Sequence, residues 1–201
     1  MERRRIPGIE APVSVLAFGC GPGAGLMVGD DAAAQTAAVG GALERGLNFF
    51  DTAAVYGSGK SESALGAALT RLDAHDAAVV LTKIQLRPDD LANIETAVLA
   101  AGEASRRRLG REVIDVLLLH NRVGPRDGPP GGLPPLTVKE AVDHVAVAFE
   151  RLRRDGLIRA YGFSSFHAAP GPLREVLEHA HADLINASFN ALNPSAGHPV
   201  A

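Results

Sequence analysis

Four side chains with complementary proton chemistry fall at or just beyond the ends of successive apolar runs: the carboxylate of Asp51 with the phenol of Tyr56 five residues later, the amine of Lys83 and the imidazole of His120. A phenol with a pKa of about 10 is a proton donor that needs help at neutral pH. An ammonium beside it favours the phenolate and so eases donation. A carboxylate keeps that ammonium charged and oriented, and an imidazole can hydrogen-bond a carbonyl oxygen. Together they suit protonation of a carbonyl oxygen while the carbon is attacked. None of them can deliver a hydride, so a nicotinamide cofactor is the natural complement. Taken singly, each has a plainer reading: Asp51 caps a turn before Thr52, Tyr56 packs with a wet hydroxyl, Lys83 is a solvated strand end, and His120 is a structural histidine. Their shared placement is what favours a site.

The elements that must position them alternate along the chain. Strand candidates are 14–19, 47–51, 78–83, 114–120, 158–163 and 183–189; helix candidates lie near 31–45, 61–72, 88–109, 138–155 and 172–181. The strands are nearly continuously apolar, as expected when both faces are buried. Thr137 with Glu140 has capping-box spacing, Gly156 follows the last polar turn, Pro88 suits the first turn of the third helix and Gly110 its exit. Such alternation implies a parallel sheet with right-handed crossovers. Two architectures fit, an open doubly wound sheet or a (β/α) barrel. In either, the C-terminal strand ends form the functional face. Asp51, Lys83 and His120 all close strands there, with Tyr56 in a following loop; Ser164 and Ser165 follow the fifth strand, and Asn186 and Asn190 lie in or just beyond the sixth. The Pro/Gly-rich stretch 124–136 reads as a loop, and residues 1–201 read as a single domain.

Composition removes several classes of function. With 201 residues, 46% hydrophobic, 21% charged and a net charge of −3, the chain can bury a substantial core. A pI near 6.2 lacks the footprint of a nucleic-acid binder. Cys20 is the single cysteine, which excludes an intrachain disulfide and fits a reducing cytoplasm. No apolar run reaches the ~18–20 residues that span a bilayer. Arginines precede an apolar stretch at the start, but Pro7, Gly8 and Glu10 interrupt any signal-peptide core. Metal binding is not expected: His179 and His181 do not share a helical face, and His75, His144, His167 and His198 lack ligand spacing. The runs Arg106–Arg108 and Arg151–Arg154 suit helical last turns. The loop 19–24 (GCGPGA) formally matches a dinucleotide-binding G-x-G-x-x-A, with Asp51 as the ribose acid. Pro22 and Gly25 argue against a helix opening there, and this Rossmann reading leaves Tyr56, Lys83 and His120 without roles. Cys20 itself reads as a small packing residue, with no partner base nearby in sequence.

The segment GLNFFDTAAVYGSGKSESALGAAL, 46–69, resembles the most distinctive stretch of the aldo-keto reductases. LTK ending at Lys83 and LLLHN around His120 are similar to the next two signatures, and YGFSSF, 161–166, and DLINASFN, 183–190, resemble the fifth- and sixth-strand motifs. The resemblance implies that Asp51, Tyr56, Lys83 and His120 are a catalytic tetrad. It implies that Ser164, Ser165 and Asn186 hold the nicotinamide carboxamide, with Ser165 replacing the usual Asn and Asn186 the usual Gln. Gly19 and Cys20 would let backbone approach the ring. The implied activity is reduction of small aldehydes or ketones with NADPH, or with NADH, by a cytoplasmic enzyme. The implied fold is a TIM-type (β/α)₈ barrel on the order of 300 residues. Here six of eight strands are expected, and the loops after strands seven and eight, which in relatives contact most of the cofactor's phosphates, have no counterpart. The expected edges at the first and sixth strands leave self-association open. A catalytically inactive barrel remnant acting as a binding module is the alternative.

Overall fold

Six short runs pair side by side in the order in which they occur along the chain. In the computed structural model, which describes residues 1–126, 133–165 and 170–188, these strands are β3 (Ala17–Gly19), β4 (Phe49–Asp51), β5 (Val79–Ile84), β6 (Ile114–Leu119), β7 (Ile158–Ser165) and β8 (Leu184–Ala187). The sheet order is β3-β4-β5-β6-β7-β8 and every pairing is parallel. The sheet curls into an open half-barrel of the TIM type, with β3 and β8 as its edges. The strand order never reverses, so the crevice a Rossmann fold needs at a reversal does not exist here. The loop 19–24 leads into short 3-10 turns, and the first α-helix begins only at Ala32.

Alternation along the strands divides the apolar residues into two layers. Val79, Leu81, Val116, Leu118 and Ala160 pack inside the curl, with Phe49 and Leu184 against them. Phe50, Val80, Ile84, Leu117, Leu119, Tyr161 and Phe163 face the helices in a larger outer core. The helices are α1 (Ala32–Glu44), α2 (Lys60–Arg71), α3 (Ile94–Leu109), α4 (Val138–Glu140), α5 (Val147–Arg154) and α6 (Pro170–His179). Asp31 caps α1 through Ala34 N, Thr137 and Glu140 form a capping box, and Gly110 ends α3 in the left-handed region.

Three expectations need correction. The Pro88 stretch is not the first turn of an α-helix: Pro88–Asn93 is a 3-10 segment, and α3 starts at Ile94 under the Asn93 side chain. The helix near 138–155 is continuous but contains a π turn, Ala141–Ala146, between α4 and α5. The first strand candidate divides, because Val13–Ser14 (β2) pairs antiparallel with Arg3–Arg4 (β1) while only Ala17–Gly19 joins the main sheet. The hairpin lies across the N-terminal ends of the strands, where Ile9 and Val13 join the inner cluster. Asn190, His167, His198 and residues 127–132 of the loop lie outside the described residues, as does the side chain of Ser165.

Candidate active site

The parity that sorts the core also sorts the polar residues. Along β5, Val79 and Leu81 point inward, so Lys83 does too. Along β6, Val116 and Leu118 point inward, so His120, one residue past the strand, follows them. Asp51 ends β4 and Gly19 pairs with it in register on β3. Ser164 and Asn186 are register partners on β7 and β8. Each of these residues lies at the C-terminal end of its strand.

Three of the four candidate residues meet at one ammonium. Lys83 Nζ donates to Asp51 Oδ1, to the Thr52 carbonyl at 2.9 Å and, at the limit of a hydrogen bond, to the Tyr56 hydroxyl at 3.5 Å. The Lys83 side chain is 3% exposed, whereas that of Asp51 is 26% exposed. Tyr56 opens the 3-10 turn Tyr56–Gly59 and meets His120 edge-on, with ring centroids 6.0 Å apart. Burial, reinforced by the Lys83 charge and opposed by Asp51, holds the His120 imidazole below the usual histidine pKa. Its Nδ1 is buried without a hydrogen-bond partner among the described residues.

Cys20 lies beside this cluster, its backbone N–H donating to the Asp51 carbonyl at 2.8 Å. Burial, with the Asp51 charge adding and Lys83 opposing, pushes its thiol up to about 12. It is therefore a protonated packing group near neutral pH. Gly19 flanks open space, since a methyl there would meet nothing within 4 Å. That opening would admit the edge of a flat ring such as a nicotinamide, with Ser164 on β7 as a candidate donor to its amide. The Asn186 amide is engaged elsewhere, donating from Nδ2 to Asp51 Oδ2 at 3.1 Å.

Sequence reasoning missed the residues behind the site. Ser61 and Glu62, at the start of α2, are fully buried. Ser61 bonds the Thr52 hydroxyl at 2.8 Å and donates to the Cys20 carbonyl at 2.8 Å. Glu62 accepts from Thr82 at 2.6 Å and from Arg108 Nε at 2.6 Å. Thr52 and Thr82 are the neighbours of Asp51 and Lys83, so two consecutive helix residues fix the two strands that form the ion pair. The signal was a polar pair within 46–69 at a helix start facing the sheet.

Among the described residues no cluster of His, Cys, Asp or Glu is placed to hold a metal ion, and no helix is long and apolar enough to cross a membrane.

Residues 23–195 match the Aldo/keto reductase family. The chain is 26% identical over 196 residues to the uncharacterized oxidoreductase YqkF of Bacillus subtilis, covering 94% of this chain and 56% of that protein. The holo form of the aldo-keto reductase AKR11C1 from Bacillus halodurans superposes with a TM-score of 0.72 at 28% identity, over 94% of this chain and 58% of the other. An aldo-keto reductase from Klebsiella pneumoniae, solved with NADPH, gives 0.64 at 25% identity, over 89% of this chain and 54% of the other. The chain thus spans little more than half the length of these relatives.

Proposed function

The chain belongs to the aldo/keto reductase family, and on that premise we propose that it reduces aldehyde or ketone groups of small molecules with NADPH in the cytoplasm. The observation that carries this reading is the Lys83 ammonium held between the Asp51 carboxylate and the Tyr56 phenol. When bound, the nicotinamide supplies a hydride to the carbonyl carbon. Tyr56 donates its hydroxyl proton to the carbonyl oxygen. The Lys83 ammonium stabilises the phenolate left behind, and Asp51 with the Thr52 carbonyl holds that ammonium in place. His120, kept neutral near pH 7 by burial and by Lys83, offers the substrate oxygen a hydrogen bond without a second positive charge. Gly19, Cys20 and Ser164 are the residues that would hold the nicotinamide ring.

Tyr56→Phe removes only the proton donor. It should lower the rate about 10²–10⁴-fold while NADPH affinity, read by nicotinamide fluorescence, stays unchanged. A variant that reduces carbonyls as fast as the wild type would sink the assignment.

A further inference from the structure

The Asp51 carboxylate has a partner on each oxygen. Oδ1 pairs with Lys83, and Oδ2 accepts from Asn186 Nδ2 at 3.1 Å, from a residue 135 positions away in sequence. Their strands, β4 and β8, stand four places apart in the sheet, so no ladder holds them in register. Only the curl of the sheet brings the two side chains together across the lumen.

We propose that Asn186 is a positioning residue for Asp51, its amide donor committed to the acid instead of to the nicotinamide carboxamide. The effect on turnover rests on the reductase reading; the contact does not. An Asp carboxylate turns about a broad, roughly two-fold terminal torsion. With only Lys83 as partner, either oxygen could face the ammonium and the plane would wander. A second, charge-assisted hydrogen bond fixes that plane. Oδ1 is then kept on Lys83, and Lys83 stays against Tyr56. The site thereby acquires a residue from the last described strand of the sheet.

Two measurements test the proposal. The first is a double-mutant cycle in urea with Asp51→Ala, Asn186→Ala and the double variant, which needs neither cofactor nor turnover. The unfolding constants should be coupled by at least about threefold; additivity would overturn the contact. The second is steady-state kinetics with NADPH titration. Asn186→Ala should lower kcat roughly tenfold, the scale of one hydrogen bond to a charged group, with NADPH Kd within about twofold of wild type. Asn186→Asp, which sets a carboxylate against Asp51, should be slower than Asn186→Ala, whereas a merely structural amide would be replaced equally well by either. A tenfold weaker NADPH affinity with unchanged kcat would return Asn186 to the carboxamide. A wild type that binds no NADPH would instead overturn the reductase reading and any role in turnover, leaving the cycle to decide the contact alone.

Discussion

Lys83 and Asp51 form one ion pair but do not share its burial equally, and their variants should differ accordingly. Removing the acid strands an ammonium that is 3% exposed, whereas removing the ammonium leaves a carboxylate that is 26% exposed and partly hydrated. Breaking a buried pair from one side costs about 3–5 kcal/mol when the remaining charge is trapped. Asp51→Ala should therefore destabilise by about that amount, and Lys83→Met by distinctly less, in urea unfolding. The reverse order would mean that the lysine finds another partner. A second consequence concerns protons. His120 and His75 both have folded pKa values below the ordinary 6.5, each mainly through burial and secondarily through a nearby cation, Lys83 and Arg111 respectively. The unfolded chain then binds more protons than the folded one below pH 6.5, so stability is complete above 6.5 and falls as the pH drops toward the depressed values. Replacing both histidines with Gln should flatten the decline of Tm between pH 7 and 5; an unchanged slope would assign it to the carboxylates.

At the level of elements, the placement of Asp51, Lys83 and His120 was legible because they fall at strand ends of the right parity, and runs such as VVLTK and DVLLLH carry that parity openly. The hairpin of β1 and β2 was not legible. Two-residue strands leave no period to read, and Arg3–Arg4 resembles any solvated terminus. Neither was the Asn186 contact, since it depends on curvature and not on any local pattern. The split at Asn93 was readable only in part: Pro88 signalled a start, but Asp90 accepting from the Arg87 N–H at 2.7 Å tightens the first turns into 3-10 form. Packing between α2 and α3 was also hidden. A methyl on Gly66 would lie 2.4 Å from the Leu109 carbonyl oxygen, which is backbone and cannot swing aside. Gly66→Ala should cost about 1–3 kcal/mol or more through forced separation of the helices. It would also shift the start of α2, and so Ser61 and Glu62, relative to the strands. Thermal stability should fall, and with it the carbonyl reduction proposed above; a variant as stable as the wild type would show that α3 can give way.

For the whole molecule, the sheet edges bear on behaviour in solution. Among the described residues, β3 and β8 each have a sheet neighbour on one side only, and Val15 and Leu16 just before β3 are 45% and 59% exposed. Unpaired, apolar edges invite pairing with another chain, and a lysine on the edge discourages it. Leu16→Lys should reduce concentration-dependent association in sedimentation velocity; equal association would place the contact elsewhere. The sheet order carries a last implication, for the order in which the parts settle during synthesis. Each strand from β4 to β8 pairs with the one made just before it, so the half-barrel can assemble as the chain leaves the ribosome. The hairpin cannot keep that schedule. Ile9 and Val13 share one buried cluster with Val79 and Leu81 but also with the later Val116, Leu118 and Ala160, and a methyl on Gly8 would sit 2.9 Å from the Arg159 carbonyl. A nascent chain stalled before β7 should therefore leave Arg3–Arg5 open to trypsin, and one stalled well after it should protect them. The first residues to emerge are among the last to find their place.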